Sequence, residues 1–369
     1  MFKSIQALRG IAAFLVLLMH CEAVFVLRFG SFPFGRMFDG GEMGVDIFFV
    51  ISGFVLYHAH NEDFGRPEKL TRYIRRRFWR IFPVYWIVSI AVLITKLSTG
   101  WHFPLTGFEI VSSLLLLPTQ VYALNILEVA WTLRFEILFY LLLGILIANL
   151  RLGLVISAIV FISCPILFVA MGPVPGWPQP KLVIADPRLI EFLFGITAAW
   201  LIKGKLPVLI DRWSLAIFAV GVAMLAFGMA WESTTPIEIA PQYIKFTFSE
   251  VSRVCTAGIG SFFLITGLAA LEKTGKLKAP NLLEYLGSSS YSLYLIHLPL
   301  ITVMATLWRH FHMESHVPNA VTFLVFVLVS VVIAFVFYEL VERKIIKLTQ
   351  KSDKGLFPTA REKLLGDKS

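Results

Sequence analysis

Long apolar runs, separated by short polar and charged segments, occupy most of the chain. A helix of about 20 mostly apolar residues crosses the roughly 30 Å of hydrocarbon in a bilayer. The pattern therefore predicts an all-α polytopic membrane helical bundle of about ten transmembrane helices. The predicted spans are 5–27, 44–60, 80–98, 131–149, 152–171, 187–203, 213–231, 251–271, 286–308 and 318–341. A shorter apolar stretch, 110–117, predicts a re-entrant or interfacial segment.

The first apolar run is predicted to remain as a transmembrane helix. A cleaved signal peptide has a small-x-small site after about 7–15 apolar residues. This run is longer, and the large His20 stands near the point where a small residue would be needed.

Composition excludes a soluble cytosolic enzyme. Hydrophobic residues make up 57% of the chain and charged residues 15%, whereas soluble domains carry about 25% charged residues. The mean hydropathy is +0.77. The cysteines Cys21, Cys164 and Cys255 stand alone in apolar runs, a pattern that indicates neither a disulfide framework nor a zinc site.

Basic residues fix the predicted orientation. With the N-terminus in the cytoplasm and alternating spans, 24 of the 33 lysines and arginines fall on the inner side and 8 on the outer side. The positive-inside rule favours this arrangement, which places both termini in the cytoplasm. The predicted domains are an integral-membrane domain over 1–345 and a charged, flexible cytoplasmic tail over 346–369.

Ionisable residues inside apolar spans are costly and often functional. Arg9 and His20 lie close to three helical turns apart, so they share one face of the first span, about 16 Å apart along its axis. The pair predicts a polar track, or else a snorkelling arginine and a histidine bonded to a neighbouring helix. Asp46 begins the second span and is either an interfacial helix cap or a charge partner of His20.

The fourth and ninth spans carry further polar stripes. Glu136 and Tyr140 are spaced i, i+4 and share a face at about the depth of His20. Ser290, Tyr294 and His297 follow one another at i, i+4 and i+7. The alternatives are an interfacial girdle for the first stripe and hydrogen bonding between helices for the second.

The densest basic stretch lies between the second and third spans, where Arg75, Arg76, Arg77 and Arg80 follow one another closely. Such a cluster can set topology and bind anionic lipid head groups. It can also bind phosphate, since guanidinium forks match phosphate oxygens. Nucleic acid is not an expected partner of a loop against a membrane.

Five motifs in this order resemble the acyltransferase 3 family of integral-membrane O-acyltransferases. The resemblance covers roughly residues 3–345. The motifs are Arg9 with His20, the GVDIFFVISGF run from Gly44 to Phe54, the Arg77-x-x-Arg80 pair, the WTLRFE run from Trp131 to Glu136 with Phe139-Tyr140, and the SYSLYLIH run from Ser290 to His297.

The resemblance implies transfer of an acyl group, commonly acetyl from acetyl-CoA, to a hydroxyl of a glycan such as an exopolysaccharide or its lipid-linked precursor. In that function, the arginine cluster and Arg9 would bind cytoplasmic acyl-CoA. His20 would act as a general base or carry the acyl group, oriented by Glu136 or Asp46. The predicted substrate or oxyanion contacts are Tyr140, Ser290, Tyr294 and His297.

Further expectations complete the prediction. The chain is expected in the bacterial inner membrane as a multi-pass protein, with acyl-CoA, a glycan acceptor and membrane lipids as partners and with no metal. A homodimer is left open. The alternative function is a proton-coupled exporter of a glycan or small solute, because buried acids and histidines also suit proton relays. Against it, the sequence lacks the paired broken helices of many transporters.

Overall fold

Helices make up nearly all of the described chain. The computed structural model describes residues 2–98, 106–117, 125–171, 182–204, 207–234, 237–240, 243–246 and 250–356. The α-helices are α1 Lys3–Phe29, α2 Met43–His60, α3 Leu70–Ser98, α4 Gly107–Leu114, α5 Trp131–Ala148, α6 Leu150–Met171, α7 Leu182–Ala185, α8 Glu191–Lys203, α9 Pro207–Thr234, α10 Glu250–Arg253, α11 Ile259–Lys273, α12 Asn281–Ser288, α13 Ser290–His310, α14 Asn319–Phe337 and α15 Arg343–Leu356. Short 3-10 turns cover Asp39–Glu42, Asn61–Asp63, Pro67–Lys69, Glu128–Ala130, Pro187–Ile190 and Met313–Ser315, and π-helical turns cover Val254–Gly258 and Tyr338–Glu342.

Among the described residues, nine helical segments are long and apolar enough to cross a membrane. They coincide with nine of the ten predicted spans, so the helical membrane bundle is confirmed. The sixth predicted span, 187–203, is different. It consists of a 3-10 turn followed by α8, which has only 13 residues, fewer than the ~20 that a full crossing needs.

The short helix α8 is buried beside α2, where two glycines face each other. A Cβ on Gly53 would lie 2.1 Å from the carbonyl oxygen of Phe192, and one on Gly195 would lie 2.0 Å from that of Val50. Only residues without side chains allow two backbones to come this close. A count of apolar residues in the sequence does not predict this packing, which buries one face of α8 against α2 and leaves Trp200 exposed.

The predicted inner segments meet at one end of the bundle. The backbone amide of Lys3 donates to Glu272 over 2.8 Å, which ties the start of α1 to the end of α11. Lys203, at the end of α8, pairs with Glu62 at 3.7 Å, just beyond α2. Because α2 and α8 both end here, α8 points in the direction that alternating spans require, although it is shorter than a full crossing.

A second set of contacts joins the predicted outer segments at the opposite end. Arg253 contacts Glu42 at 2.6 Å, and Arg36 contacts Asp39 at 2.6 Å. These pairs join the 3-10 turn before α2 to α10 and to the loop after α1. The two ends thus contain the loops that charge alone had assigned to opposite sides of the membrane.

Two connecting segments adopt local structure. The apolar stretch predicted as re-entrant forms α4, which is capped by Thr106 and Glu109 in a reciprocal capping box. Strands β1 Ile237–Ala240 and β2 Tyr243–Phe246 pair antiparallel, with Ile237 opposite Phe246. Isoleucine, tyrosine and phenylalanine, which favour strands, make up most of the two segments, and this hairpin is a small departure from the all-α prediction.

The predicted tail begins as a helix. α15 continues the last span to Leu356, so the first part of the segment expected to be flexible is helical. The rest of the tail, 357–369, lies outside the described residues.

Candidate functional site

A central cavity lies between α1, α2, α3, α5 and α13. Its empty volume is about 910 Å³, counted with the part that is open to solvent. One end is lined by charged side chains and the other by apolar and hydroxyl-bearing ones. Seven of the residues predicted from the sequence line it: Arg9, Arg77, Arg80, Glu136, Tyr140, Ser290 and Tyr294.

Three arginines form the inner end of the central cavity. Arg9 comes from α1, whereas Arg77 and Arg80 lie one turn apart on the same face of α3. Arg75 and Arg76 belong to the same basic run but do not line the cavity, and Arg76 is exposed. The structure therefore brings together three of the five arginines predicted to bind phosphate.

Arg80 is held by a carboxylate that the sequence analysis missed. Glu342, in the π-helical turn after α14, is 1% exposed and accepts from Arg80 Nη1 at 2.9 Å. Its other oxygen accepts from the backbone amide and the hydroxyl of Ser292, at 3.2 and 2.6 Å. Glu342 thus fixes Arg80 against the start of α13. Glu342 directly follows the last predicted span, which ends at residue 341, and an acid at the end of an apolar span was the signal that could have identified it.

Arg77 lies between two tyrosine rings and a histidine. Its guanidinium carbon is 5.8 Å from the ring centroid of Tyr73 and 5.5 Å from that of Tyr140. Its Nη2 lies 3.4 Å from Nε2 of His60, whose Nδ1 is 2.9 Å from Asp63. Stacking on aromatic faces and a fixed guanidinium plane leave the remaining N–H groups oriented for an anionic ligand.

Glu136 and Tyr140 lie in the middle of the cavity wall. The Tyr140 hydroxyl donates to Glu136, as the i, i+4 spacing predicted. Glu136 lines the central cavity together with Arg9 and Arg80, whereas His20 does not line it. The structure therefore brings Glu136 to the arginines and not to the histidine that it was predicted to orient.

Tyr294 and Phe48 form the wall at the outer end of the central cavity. The Tyr294 hydroxyl donates to the carbonyl oxygen of Val129 at 3.0 Å and lies 2.8 Å from Oγ1 of Thr132. Phe48 packs edge-on against Tyr294, with ring centroids 5.9 Å apart. Ser290, farther in, has a buried hydroxyl with no hydrogen-bond partner in the part of the chain described.

The two predicted histidines meet beyond this wall. Nδ1 of His20 lies 3.2 Å from Nε2 of His297, and the ring centroids are 5.0 Å apart. Each Nδ1 also lies 3.0 Å from the carbonyl oxygen four residues earlier on its helix, Val16 for His20 and Leu293 for His297. The sequence placed these histidines in two separate spans, and the structure makes them a pair.

The hydrogen bonds of this pair define its tautomers. A carbonyl oxygen can only accept, so Nδ1 carries the proton in both rings. Nε2 of His297 then accepts from His20, and Nε2 of His20 keeps a free lone pair. His297 in this form has no N–H left for an oxyanion, the role predicted for it, and instead orients His20.

Asp46 lies with an arginine rather than with His20. It is fully buried, and its carboxylate accepts from Arg253 Nη2 at 2.5 Å. Glu42, four residues earlier, also contacts Arg253, and it follows Gly41, which packs against Leu15 and Met19 just before His20. The structure therefore does not bring Asp46 to His20. The carboxylate near the histidine is Glu42, which the sequence analysis did not single out.

Close packing of α1 against the start of α2 places Glu42 near His20. A Cβ on Gly41 would lie 2.3 Å from the carbonyl oxygen of Leu15 and 2.9 Å from Cβ of Met19. The glycine lets the 3-10 turn approach the helical turn that precedes His20. Glu42 follows directly and is held there by Arg253.

His20 does not line the central cavity. Tyr294 does, and its ring centroid is 5.8 Å from that of His297. Three residues, about 4.5 Å of helical rise, separate Tyr294 from His297 along α13. The cavity therefore runs from the arginines to within one helical turn of the histidine pair.

Comparisons with known proteins agree with this arrangement. The family described as "Acyltransferase domain" matches residues 2–339. Exopolysaccharide production protein ExoZ of Rhizobium meliloti is 30% identical over 280 residues, 73% of this chain and 80% of that protein.

Two further relatives have names that state an activity. Acyltransferase MdmB of Streptomyces mycarofaciens is 26% identical over 294 residues, 71% of this chain and 68% of that protein. O-acetyltransferase OatA of Staphylococcus aureus is 22% identical over 375 residues, 93% of this chain but only 57% of that protein. No solved structure gives a significant match to the chain.

Proposed function

Since the chain belongs to the acyltransferase 3 family and is therefore an acyltransferase, we propose that it transfers an acyl group, acetyl in particular, from cytoplasmic acyl-CoA to a hydroxyl of a glycan. One observation carries the proposal: a single cavity joins three arginines at the predicted inner end to a wall one helical turn from the His20–His297 pair. An exporter has no need of an anion site that ends beside an imidazole base.

The inner end of the central cavity fits the phosphates of coenzyme A. Arg9, Arg77 and Arg80 present several N–H donors there, and guanidinium groups bind phosphate oxygens in a bidentate manner. The unpartnered hydroxyl of Ser290 can bond to a polar group of the pantetheine arm farther along the cavity. In this assignment Arg75 and Arg76 contribute to topology and lipid contact.

His20 supplies the base. Its Nε2 takes the proton of the acceptor hydroxyl as the oxygen attacks the thioester carbon, and the proton then passes to the departing thiolate when the carbon–sulfur bond breaks. His297 and Val16 share the N–H of His20 Nδ1 and keep Nε2 free. Glu42 stabilises the imidazolium that forms, the role given to Asp46 or Glu136 from the sequence.

The same lone pair permits a covalent route. Nε2 of His20 can attack the thioester carbon and release the thiolate as the carbon–sulfur bond breaks, which leaves an acyl-imidazolium. The acceptor hydroxyl then attacks the acyl carbon, the bond to Nε2 breaks, and the hydroxyl proton passes to the thiolate. Rapid acid quench of enzyme mixed with radiolabelled acetyl-CoA alone distinguishes the two routes, because only the covalent route labels the protein before an acceptor is added.

The acceptor approaches from the outer side. His20 lies in the predicted outer half of α1, on the side of the cavity wall opposite to the arginines. The name of the ExoZ relative refers to exopolysaccharide production, which favours an exopolysaccharide or its lipid-linked precursor, in a bacterial inner membrane. Mass spectrometry of surface glycans from cells with and without the protein tests this, and identical glycans would contradict it.

Binding of the donor has a direct test. Isothermal titration of acetyl-CoA into the full chain in lipid nanodiscs should give saturable binding. Arg80→Ala should weaken it strongly. Arg76→Ala, which removes an exposed arginine of the same run outside the cavity, is the matched control and should leave it unchanged. Equal affinities for acetyl-CoA in the wild type and both variants would show that the basic run sets the topology and does not bind the donor.

A further inference from the structure

Phe48 lies where the apolar clusters of the bundle meet the central cavity. Its half-buried ring packs against all three buried apolar clusters of the described chain, which otherwise centre on different helices. The same ring lines the central cavity and meets Tyr294 edge-on. Phe48 is therefore the apolar part of the wall between the cavity and the histidine pair.

The two members of this wall are held in different ways. Tyr294 is fixed by the hydrogen bond to Val129 and the contact with Thr132. Phe48 has no polar group and is positioned by packing alone. Shortening Phe48 therefore deepens the cavity without removing a hydrogen bond, whereas removing Tyr294 would remove its hydrogen bond to Val129.

The surroundings of this wall are mainly apolar. Val45 and Phe49, on the same face of α2 as Phe48, line the cavity beside it, and Leu133 faces them from α5. Phe49 is itself fixed, since its ring stacks on Phe192 at 5.0 Å and lies 5.2 Å from Phe135. Such surroundings suit an alkyl group, and none of the described residues that line this end of the cavity carries a charge that could pair with a carboxylate.

We propose that the outer end of the central cavity is an acyl-binding subsite whose depth is set by Phe48, so that the donor carries a short, uncharged acyl group. This inference rests on the proposed function, which brings the thioester to this end of the cavity. The methyl group of an acetyl thioester fits against the Phe48 ring. A longer chain needs the volume that the ring fills, and a succinyl group would leave its carboxylate without a partner.

Thioether analogues of coenzyme A test the subsite without requiring the acceptor. S-ethyl-CoA and S-butyl-CoA are titrated into the full chain in nanodiscs, and the ratio of their dissociation constants is compared between variants. The wild-type protein should prefer the ethyl analogue. In Phe48→Ala the ratio should move toward the butyl analogue by roughly 15-fold, since each of two extra buried methylenes changes affinity by about a factor of four.

The ratio does not depend on how much of the protein is folded, because both analogues are compared on the same preparation. Phe48→Leu, a milder change, should shift the ratio in the same direction by a smaller factor. Phe227→Ala removes a ring that is 57% exposed on α9, outside the cavity, and should leave the ratio as in the wild type.

The outcomes separate the two proposals. If the wild-type chain binds neither analogue, the proposal of an acyl-CoA donor is wrong, and so is the proposal of the subsite. If both analogues bind and the ratio in Phe48→Ala equals that of the wild type, only the subsite is wrong. A wild-type preference for the butyl analogue would also overturn the subsite.

Discussion

Nδ1 of His20 lies 3.2 Å from Nε2 of His297, and this contact joins α1 to α13 beyond the outer wall of the central cavity. The same Nδ1 faces the carbonyl oxygen of Val16. Both neighbours accept from one N–H, so they hold the ring in a single tautomer and leave Nε2 of His20 available. Such fixed orientation is what a general base needs, since a base must meet its proton within hydrogen-bond reach.

Replacing His20 should abolish acyl transfer. In His20→Ala the base is missing, and a positioned general base contributes about 10²- to 10⁴-fold to a rate. Transfer of radiolabel from acetyl-CoA to glycan in membrane vesicles measures the loss, with membrane insertion checked by immunoblot. His316→Ala, which removes an exposed histidine of the outer loop, is the control. A normal rate in His20→Ala would end the assignment.

Replacing His297 should lower the rate through His20. His297→Ala removes one of the two groups that orient the imidazole of His20. Loss of the hydrogen-bond partner that orients a metal-binding histidine costs about 10- to 100-fold in affinity or activity, and we expect a fall in rate of that order here. The double variant with His20→Ala should be no slower than His20→Ala alone, because residues that act as a unit are not additive. Additive losses in this cycle would show that His297 acts independently of His20.

Replacing Glu342 should weaken donor binding through Arg80. Glu342→Gln keeps the shape of the side chain but removes the charge that holds the Arg80 guanidinium. A hydrogen bond to a charged group contributes about 1.5–3 kcal/mol, so the dissociation constant for acetyl-CoA should rise roughly tenfold or more. The rate at saturating donor should change less than the KM does. A fall in that rate with an unchanged KM would point to a purely structural role.

Replacing Arg253 should destabilise the outer end of the bundle. Arg253 contacts the carboxylates of Glu42 and Asp46, and Asp46 is fully buried. Breaking a buried ion pair by removing one partner costs about 3–5 kcal/mol, so Arg253→Leu should lower the midpoint of thermal unfolding in detergent. Adding Asp46→Asn should recover part of the loss. Arg309→Leu, at an exposed site, is the control and should leave the midpoint unchanged. An unchanged midpoint in Arg253→Leu would show that the ion pairs do not stabilise the fold.

Cysteine labelling should establish the topology and the course of α8. In a Cys255→Ala background, which removes the exposed native thiol, Lys203→Cys should react with a membrane-impermeant maleimide only from the cytoplasmic side. Glu314→Cys should react only from the outside. Labelling of both positions from one side would contradict the alternating arrangement with cytoplasmic termini.

Parts of this site could be predicted from the sequence, because a polar residue within a long apolar span is rare and easily recognised. Arg9, Glu136 and Tyr294 stand out in apolar spans, and all three line the central cavity. The resemblance to the acyltransferase 3 family rested on such residues and is confirmed by the family match. Glu42 and Glu342 escaped notice because each lies at a span end, where an acid is ordinary.

The sequence by itself determined that this chain crosses a membrane through apolar helices, and it determined the family, since the length of apolar runs and the order of motifs are local properties. It also predicts that most of the basic loops lie on one side of the membrane. Only the tertiary structure decided which charges meet. Which side chains on different helices meet depends on how closely and at what angle the helices pack. Glycines such as Gly41 and Gly195 help to set this packing, because they let a neighbouring backbone come close. For that reason Asp46 faces Arg253, and His20 faces His297.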